Sequence, residues 1–273
     1  MPESFRPTAY ADINKTLSEL LGQVRTVLGP YLVGMYLAGS LALGDFDPDS
    51  SDIDLVIVTD TELSDGLFAA LCEMHTRYAA RNSPWSKKLE AVYIPQLSLR
   101  RAGARGARYP VLEKGRSLIL DHLEVGWSVQ RHTVREYGVA LLGPEPRALL
   151  EPVDPNEMRQ AGRAIAAMWL EEARSDPSWI AWMHQRENHT FVVLTLCRLL
   201  YTLRTGSVAS KRRAGQWARQ TLGESWASLI DRALAGQPGS GEVSDSEADA
   251  TVALIRHTVA RFQLWEASAP AVE

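Results

Sequence analysis

Apolar residues recur at three- and four-residue spacing from Ile13 through Leu17, Leu20, Leu21 and Val24 to Leu28, which predicts an amphipathic helix over about 12–28. Gly29-Pro30 stops it. The period then changes. Tyr31 to Leu37 and Ile53 to Val58 are short, mostly apolar runs rich in β-formers and read as buried strands; Leu89 to Ile94, ended by Pro95, reads as a third. A helix is predicted over 66–81 between the second and third strands. Residues 96–111, with several arginines among Gly and Ala, read as a mobile connection. A helix from about 115 to 137, closed by Gly138, and a short strand, Val139 to Leu142, complete an α/β half with a small, mixed sheet.

Beyond residue 150 the pattern is helical throughout. Asp154-Pro155-Asn156-Glu157 places an N-cap Asp, a Pro at N1 and an acid at N3, a good start for a helix running to about Arg174. One long helix is predicted from Trp179 to Arg204, closed by Gly206, and shorter ones at 208–221 and 223–235. The linker GQPGSGEVSDSE comes before a last helix that carries Val252, Ile255, Val259 and Phe262 on one face. Two domains are expected, 1–150 and 151–273.

Composition narrows the class. With 273 residues, 45% apolar and 23% charged, the chain is an ordinary globular protein long enough for a sizeable core. A formal net charge of −4 argues against broad nucleic-acid binding and leaves room for a cationic substrate. Cys72 and Cys197 lie in apolar stretches without metal-ligand spacing, so neither a disulfide framework nor a zinc site is expected. The start shows no basic and apolar leader and no run is long enough to span a bilayer; with the cysteine usage, a cytoplasmic protein is expected, and separately a monomer.

The chemistry concentrates in LAGSLALGDFDPDSSDIDLVIV. Strand alternation turns Asp52 and Asp54 to one face, where two carboxylates a few ångströms apart repel each other unless a cation joins them. Oxygen ligands of this kind, with phosphate oxygens, suit Mg²⁺. Upstream, Gly39 lets the backbone approach a phosphate closely and Ser40 offers a hydroxyl. Strand, Gly-Ser, short helix, Asp-x-Asp and strand in this order predict a metal–nucleotide site. Glu90, at the start of the third strand, is a candidate to complete the metal shell or to accept a proton from an attacking hydroxyl.

The order Gly-Ser, Asp-x-Asp, later strand acid resembles the DNA polymerase β type of nucleotidyltransferase. SDIDLVIV, LEAVYI, REYGVALLGPEP, FVVLTLCRLLYTLRTGSVASK and the following QWA extend the likeness to the aminoglycoside adenylyltransferases that modify streptomycin and spectinomycin. It covers most of residues 30–235 and includes the helical domain, often called DUF4111. The resemblance implies an α/β (α+β) nucleotidyltransferase domain followed by an all-α bundle. It also implies ATP as co-substrate, Mg²⁺ as cofactor, and AMP transfer to a hydroxyl of a cationic, aminoglycoside-type acceptor. Carried over by position, Asp52, Asp54 and Glu90 hold metal, Glu90 is the general base, and Gly39, Ser40 and Ser51 contact the nucleotide. Arg198 and Lys211 reach its triphosphate. The guanidinium of Arg198 also interrupts an apolar run, where an unpaired charge is costly.

Two family features are missing. The acid that contacts streptomycin aligns to Asn188, with Glu187 beside it as a candidate substitute eleven residues, about three turns, before Arg198. The family's substrate-stacking Trp has no equivalent, leaving Trp85, Trp127, Trp179 and Trp182 as candidates. The same chemistry on another hydroxylated acceptor, or a non-catalytic regulatory relative, are the competing readings.

Overall fold

The computed structural model describes residues 6–81, 83–100, 106–236 and 241–268, and the chain divides into two units, 1–153 and 154–273. In the first unit, helix α1 (Ala11–Leu28) leads into strand β1 (Leu32–Leu37), a single helical turn α2 (Gly39–Ala42), strand β2 (Ile53–Thr59), helix α3 (Asp65–Ala79) and strand β3 (Leu89–Pro95). After it come the short α4 (Gln96–Arg100), strands β4 (Arg108–Leu112) and β5 (Ile119–His122), helix α5 (Trp127–Tyr137), strand β6 (Val139–Leu142) and the turn-long α6 (Pro146–Leu149). The six strands form one mixed sheet in the order β5-β4-β3-β2-β1-β6. β2 and β3 run parallel, and the other neighbouring pairs are antiparallel.

Strand alternation gives this sheet two buried faces, which is why its central strands are apolar without interruption. Ile53, Leu55 and Ile57 of β2 pack with Ile13, Leu17, Leu20 and Val24 of α1 and with Leu71 and Met74 of α3. Val56 and Val58 face the other way, into a cluster with Tyr36, Val92, Ile94, Tyr109, Trp127 and Val134. The carboxylates expected to matter sit on this second face, two and four residues before Val56.

Two elements depart from the sequence expectation here. Within 96–111, residues 101–105 lie outside the described residues; the flanking residues form α4 and β4 instead of an irregular connection. The predicted 115–137 helix is divided: a turn at Gly115 (φ +69°) folds Ile119–His122 back onto β4, and α5 starts only at Trp127. β5 is an edge strand exposed along its whole length, so it carries no alternation for a pattern reading to find.

The second unit is all-helical: α7 (Pro155–Ser175), α8 (Pro177–His184), α9 (Arg186–Thr205), α10 (Lys211–Thr221), α11 (Glu224–Leu234) and α12 (Asp245–Ser268). The side chain of Asp154 caps α7 by accepting from the Asn156 N–H at 2.8 Å, as its position predicts. α9 is the central helix; its Val192, Val193, Leu196 and Cys197 are buried with Trp169, Ile230, Leu254 and Phe262. The single helix expected over 179–204 is two. Gln185 is extended and bridges Glu242, while the Arg186 N–H donates to the Gly241 carbonyl and the Val243 N–H to the His184 carbonyl. Part of the expected linker therefore breaks the helix from outside, and residues 237–240 of that linker lie outside the described residues. α10 also starts three residues later than expected, at Lys211, behind a Ser210 N-cap.

Candidate active site

β1, β2 and β3 build the centre of the site. The parallel register of β2 and β3 sets Asp54 directly beside Glu90 on one face, with Asp52 two residues upstream on the same face. Against this face stands the Gly-Ser turn. The Ala38 N–H donates to the Asp54 carbonyl at 2.9 Å, and Gly39 follows at φ +55°. A Cβ on Gly39 would lie 1.7 Å from Asp54 Oδ2, so the Asp54 carboxylate occupies the space that any other residue's side chain would need. The glycine is demanded twice, by its backbone and by its neighbour.

The loop between turn and strand is fastened at several points. The Asp47 N–H donates to Ser51 Oγ at 3.1 Å and the Ser51 N–H to the Asp47 carbonyl at 2.8 Å. Lys88 Nζ donates to the carbonyls of Pro48 and Asp49, and the Tyr10 hydroxyl to that of Phe46. Ser51 thus lies beside Asp52 with its hydroxyl oxygen engaged in closing the loop.

Glu90 has the most perturbed carboxyl of the group. Burial first, and then the negative charges of Asp54, Asp52 and Glu124, push it up from 4.5 to about 7, against the lowering influence of Lys114. A carboxylate held near neutrality is suited to accept a proton. Among the described residues, no three His, Cys, Asp or Glu side chains stand close enough to enclose a metal ion. The pair Asp52 and Asp54 still fits a hard cation that takes its remaining ligands from phosphate. Asp52 Oδ1 is buried and accepts no hydrogen bond, and the Lys114 ammonium stands 3.1 Å from it, a positive charge already at that oxygen.

Lys114 and Glu124 escaped the sequence reading. They lie at the two ends of the β5 excursion, Lys114 in the turn before the strand and Glu124 just before α5, a segment expected to be one continuous helix. The charged turn EKGR, with its glycine, was the available signal. The carboxyl of Glu124 is itself raised, by burial first and by Glu113 second. Two of the candidate tryptophans belong to the core: Trp85 is buried and donates through Nε1 to Asp12 Oδ2 at 2.6 Å, and Trp127 packs in the α5-side cluster. Their large apolar area is used for stability.

The remaining candidates are in the second unit. Arg198 sits half-buried on α9 and donates through Nε to the Ala209 carbonyl at 3.2 Å, tying α9 to the loop before α10. Lys211, the first residue of α10, holds its ammonium 4.9 Å from the centre of the Phe191 ring. Phe191 lies two turns before Arg198 on the same helix, so the unit brings both basic residues to one side of α9. Thr195, between Phe191 and Arg198 on α9, was not anticipated. Thr26, Thr76, Thr133, Thr205, Thr251 and Thr258 all donate to the carbonyl four residues back, whereas the buried Thr195 hydroxyl has no hydrogen-bond partner. Glu187 is exposed in the first turn of α9, and Asn188 uses its amide to donate to the Trp182 carbonyl at 2.9 Å. Trp179 and Trp182 join Trp169 and Phe191 in a cluster of tilted and edge-on rings.

Comparison with known proteins gives matches in both units. A family model described as a nucleotidyltransferase domain matches residues 17–102, and one described as the C-terminal domain of aminoglycoside adenylyltransferases matches residues 148–261. An aminoglycoside (3'')(9) adenylyltransferase from Shigella flexneri is 26% identical over 253 residues, covering 89% of this chain and 92% of the relative. A spectinomycin 9-adenylyltransferase from Campylobacter jejuni is 24% identical over 234 residues, covering 80% and 82%. Among solved structures, the spectinomycin adenyltransferase AAD(9) from Enterococcus faecialis, crystallised with ATP and spectinomycin, aligns with a TM-score of 0.70 over 91% of this chain and 98% of its own, at 17% identity. No helix among the described residues is long and apolar enough to cross a membrane.

Proposed function

We propose, for a chain that belongs to the aminoglycoside adenylyltransferase family, that it transfers AMP from ATP to a hydroxyl group of an aminoglycoside-type antibiotic of the streptomycin and spectinomycin class. The observation that carries the reading is the register that sets Asp54 beside Glu90, with Asp52 on the same face and Gly39 against Asp54. The relatives' activities supply the nucleotide and the acceptor class.

In this reading Gly39 and Ser40 receive the nucleotide's phosphates, and Ser51 holds the loop that brings Asp52 to them. Asp52 and Asp54 would hold Mg²⁺, with Glu90, beside Asp54 in the strand register, as the candidate third ligand. When bound, the ion neutralises phosphate charge and polarises the α-phosphoryl group. Glu90 takes the proton of the acceptor hydroxyl; the oxygen then forms its bond to the α-phosphorus as the bond to the β-phosphate oxygen breaks, and pyrophosphate leaves. Arg198 and Lys211 supply positive charge to the departing phosphates. Glu187 offers a carboxylate to the cationic acceptor, and Asn188 stands next to it as a polar neighbour. Free Cys72 and Cys197 suit a reducing cytoplasm, and the chain acts there as a monomer.

The test is pyrophosphate release and product mass with ATP–Mg²⁺ against streptomycin, spectinomycin and other aminoglycosides. AMP addition to at least one of them is expected. Turnover with none, but with another hydroxylated metabolite, moves the assignment to a different acceptor.

A further inference from the structure

The β4–β5 turn places one ammonium among four carboxylates. Lys114 Nζ is 3.1 Å from Asp52 Oδ1, its side chain 41% exposed and that of Asp52 25%. Of the charges that act on Glu90, Asp54, Asp52 and Glu124 oppose its ionisation and Lys114 favours it. A half-exposed ion pair of this kind adds little to folding stability. The contact is also not a hydrogen bond, since Asp52 Oδ1 has no hydrogen-bond partner. What the ammonium does supply is charge. It offsets part of the repulsion within the group at the oxygen where a divalent cation would bind.

Both cations draw on the same carboxylate, and two positive charges brought that close repel each other. We propose that Lys114 is a resident counter-cation of the carboxylate group, displaced from Asp52 when the metal arrives with the nucleotide. The proposal rests on the reading that Asp52 and Asp54 hold the metal. A bare ion brings a second positive charge against the ammonium and no anion with it. A metal carried on a triphosphate brings phosphate oxygens to which the displaced ammonium can turn, and Gly115 at φ +69° follows it in an exposed turn. Lys114 therefore lowers the affinity for free metal and couples metal entry to nucleotide entry. It acts through Asp52 as a positioning residue.

The experiment is Mn²⁺ binding to the full chain without nucleotide, followed by the loss of the free-ion paramagnetic resonance signal. Wild type, K114M, K114R and D52N are compared, with thermal melting to establish folding. K114M is expected to bind Mn²⁺ about fivefold tighter than wild type, the effect of removing one competing surface charge. K114R, which keeps the charge, is expected to stay near wild type, and D52N to lose binding. Unchanged or weaker Mn²⁺ affinity in K114M, with binding lost in D52N, overturns the role of Lys114 alone. Wild-type affinity in D52N overturns the metal assignment to Asp52, and the Lys114 proposal with it.

Discussion

At Gly39 a missing side chain determines the geometry of a charged one. Its positive φ would strain any other residue, and the close approach of Asp54 Oδ2 removes the space for a Cβ. Gly39→Ala is therefore expected to displace the Asp54 carboxylate and to lower AMP transfer by about 100-fold, in line with the cost of misplacing a reacting group by an ångström. Its melting temperature should fall by only a few degrees, the cost of one strained residue of about 1–2 kcal/mol. Steady-state kinetics with a melting curve check both parts. A large fall in melting temperature with normal turnover of the folded fraction would assign Gly39 to folding alone. Gly39, Asp52, Asp54 and Glu90 could all be found from sequence because strand alternation and the glycine requirement are local rules. Lys114 and Glu124 reach the site through a hairpin whose edge strand has no pattern, so only the fold brings them there.

Among the elements, the joint between α3 and β3 carries a titration. His75 of α3 is buried with its Nε2 2.6 Å from the Tyr93 hydroxyl of β3, and burial lowers its pKa from 6.5 to about 4. The unfolded chain thus binds a proton between these two values that the folded chain does not. The stabilising contribution is complete above about 6.5 and is lost as pH falls towards 4, on the order of 3 kcal/mol in full. Urea unfolding from pH 7 down to pH 4 should show this loss, and H75Q should flatten it; an equal slope in both proteins would refute the assignment. Helices were readable where period and caps coincide, as in α1 and α7. The break at Gln185 was not, because the strand-like contact that causes it comes from Glu242, 57 residues away. The same limit applies to β4 and β5, whose pairing is set by a turn and not by alternation.

On the scale of the whole molecule, each unit has its own core and its own part of the proposed chemistry. The first carries the carboxylates and the Gly-Ser turn. The second carries the basic residues of α9 and α10, with Lys211 over the exposed Phe191 ring. If the second unit takes part in phosphate binding, Lys211→Met should lower kcat/KM for ATP at least about tenfold and leave folding intact, as loss of one charge-assisted phosphate contact requires. Steady-state kinetics at varied ATP and Mg²⁺ read this directly, and a wild-type kcat/KM would confine the phosphate contacts to the first unit. The two-domain order was visible in the shift from mixed to purely helical pattern near residue 150. The acceptor was not, since Glu187, Asn188 and the tryptophans carry no spacing rule of their own. The central claim, that Glu90 beside Asp54 is the base for AMP transfer, is tested most directly by Glu90→Gln, which keeps the size of the side chain and removes its ability to take a proton. Single-turnover transfer from labelled ATP should fall by about 10²- to 10⁴-fold while ATP binding is retained; transfer at the wild-type rate would contradict it.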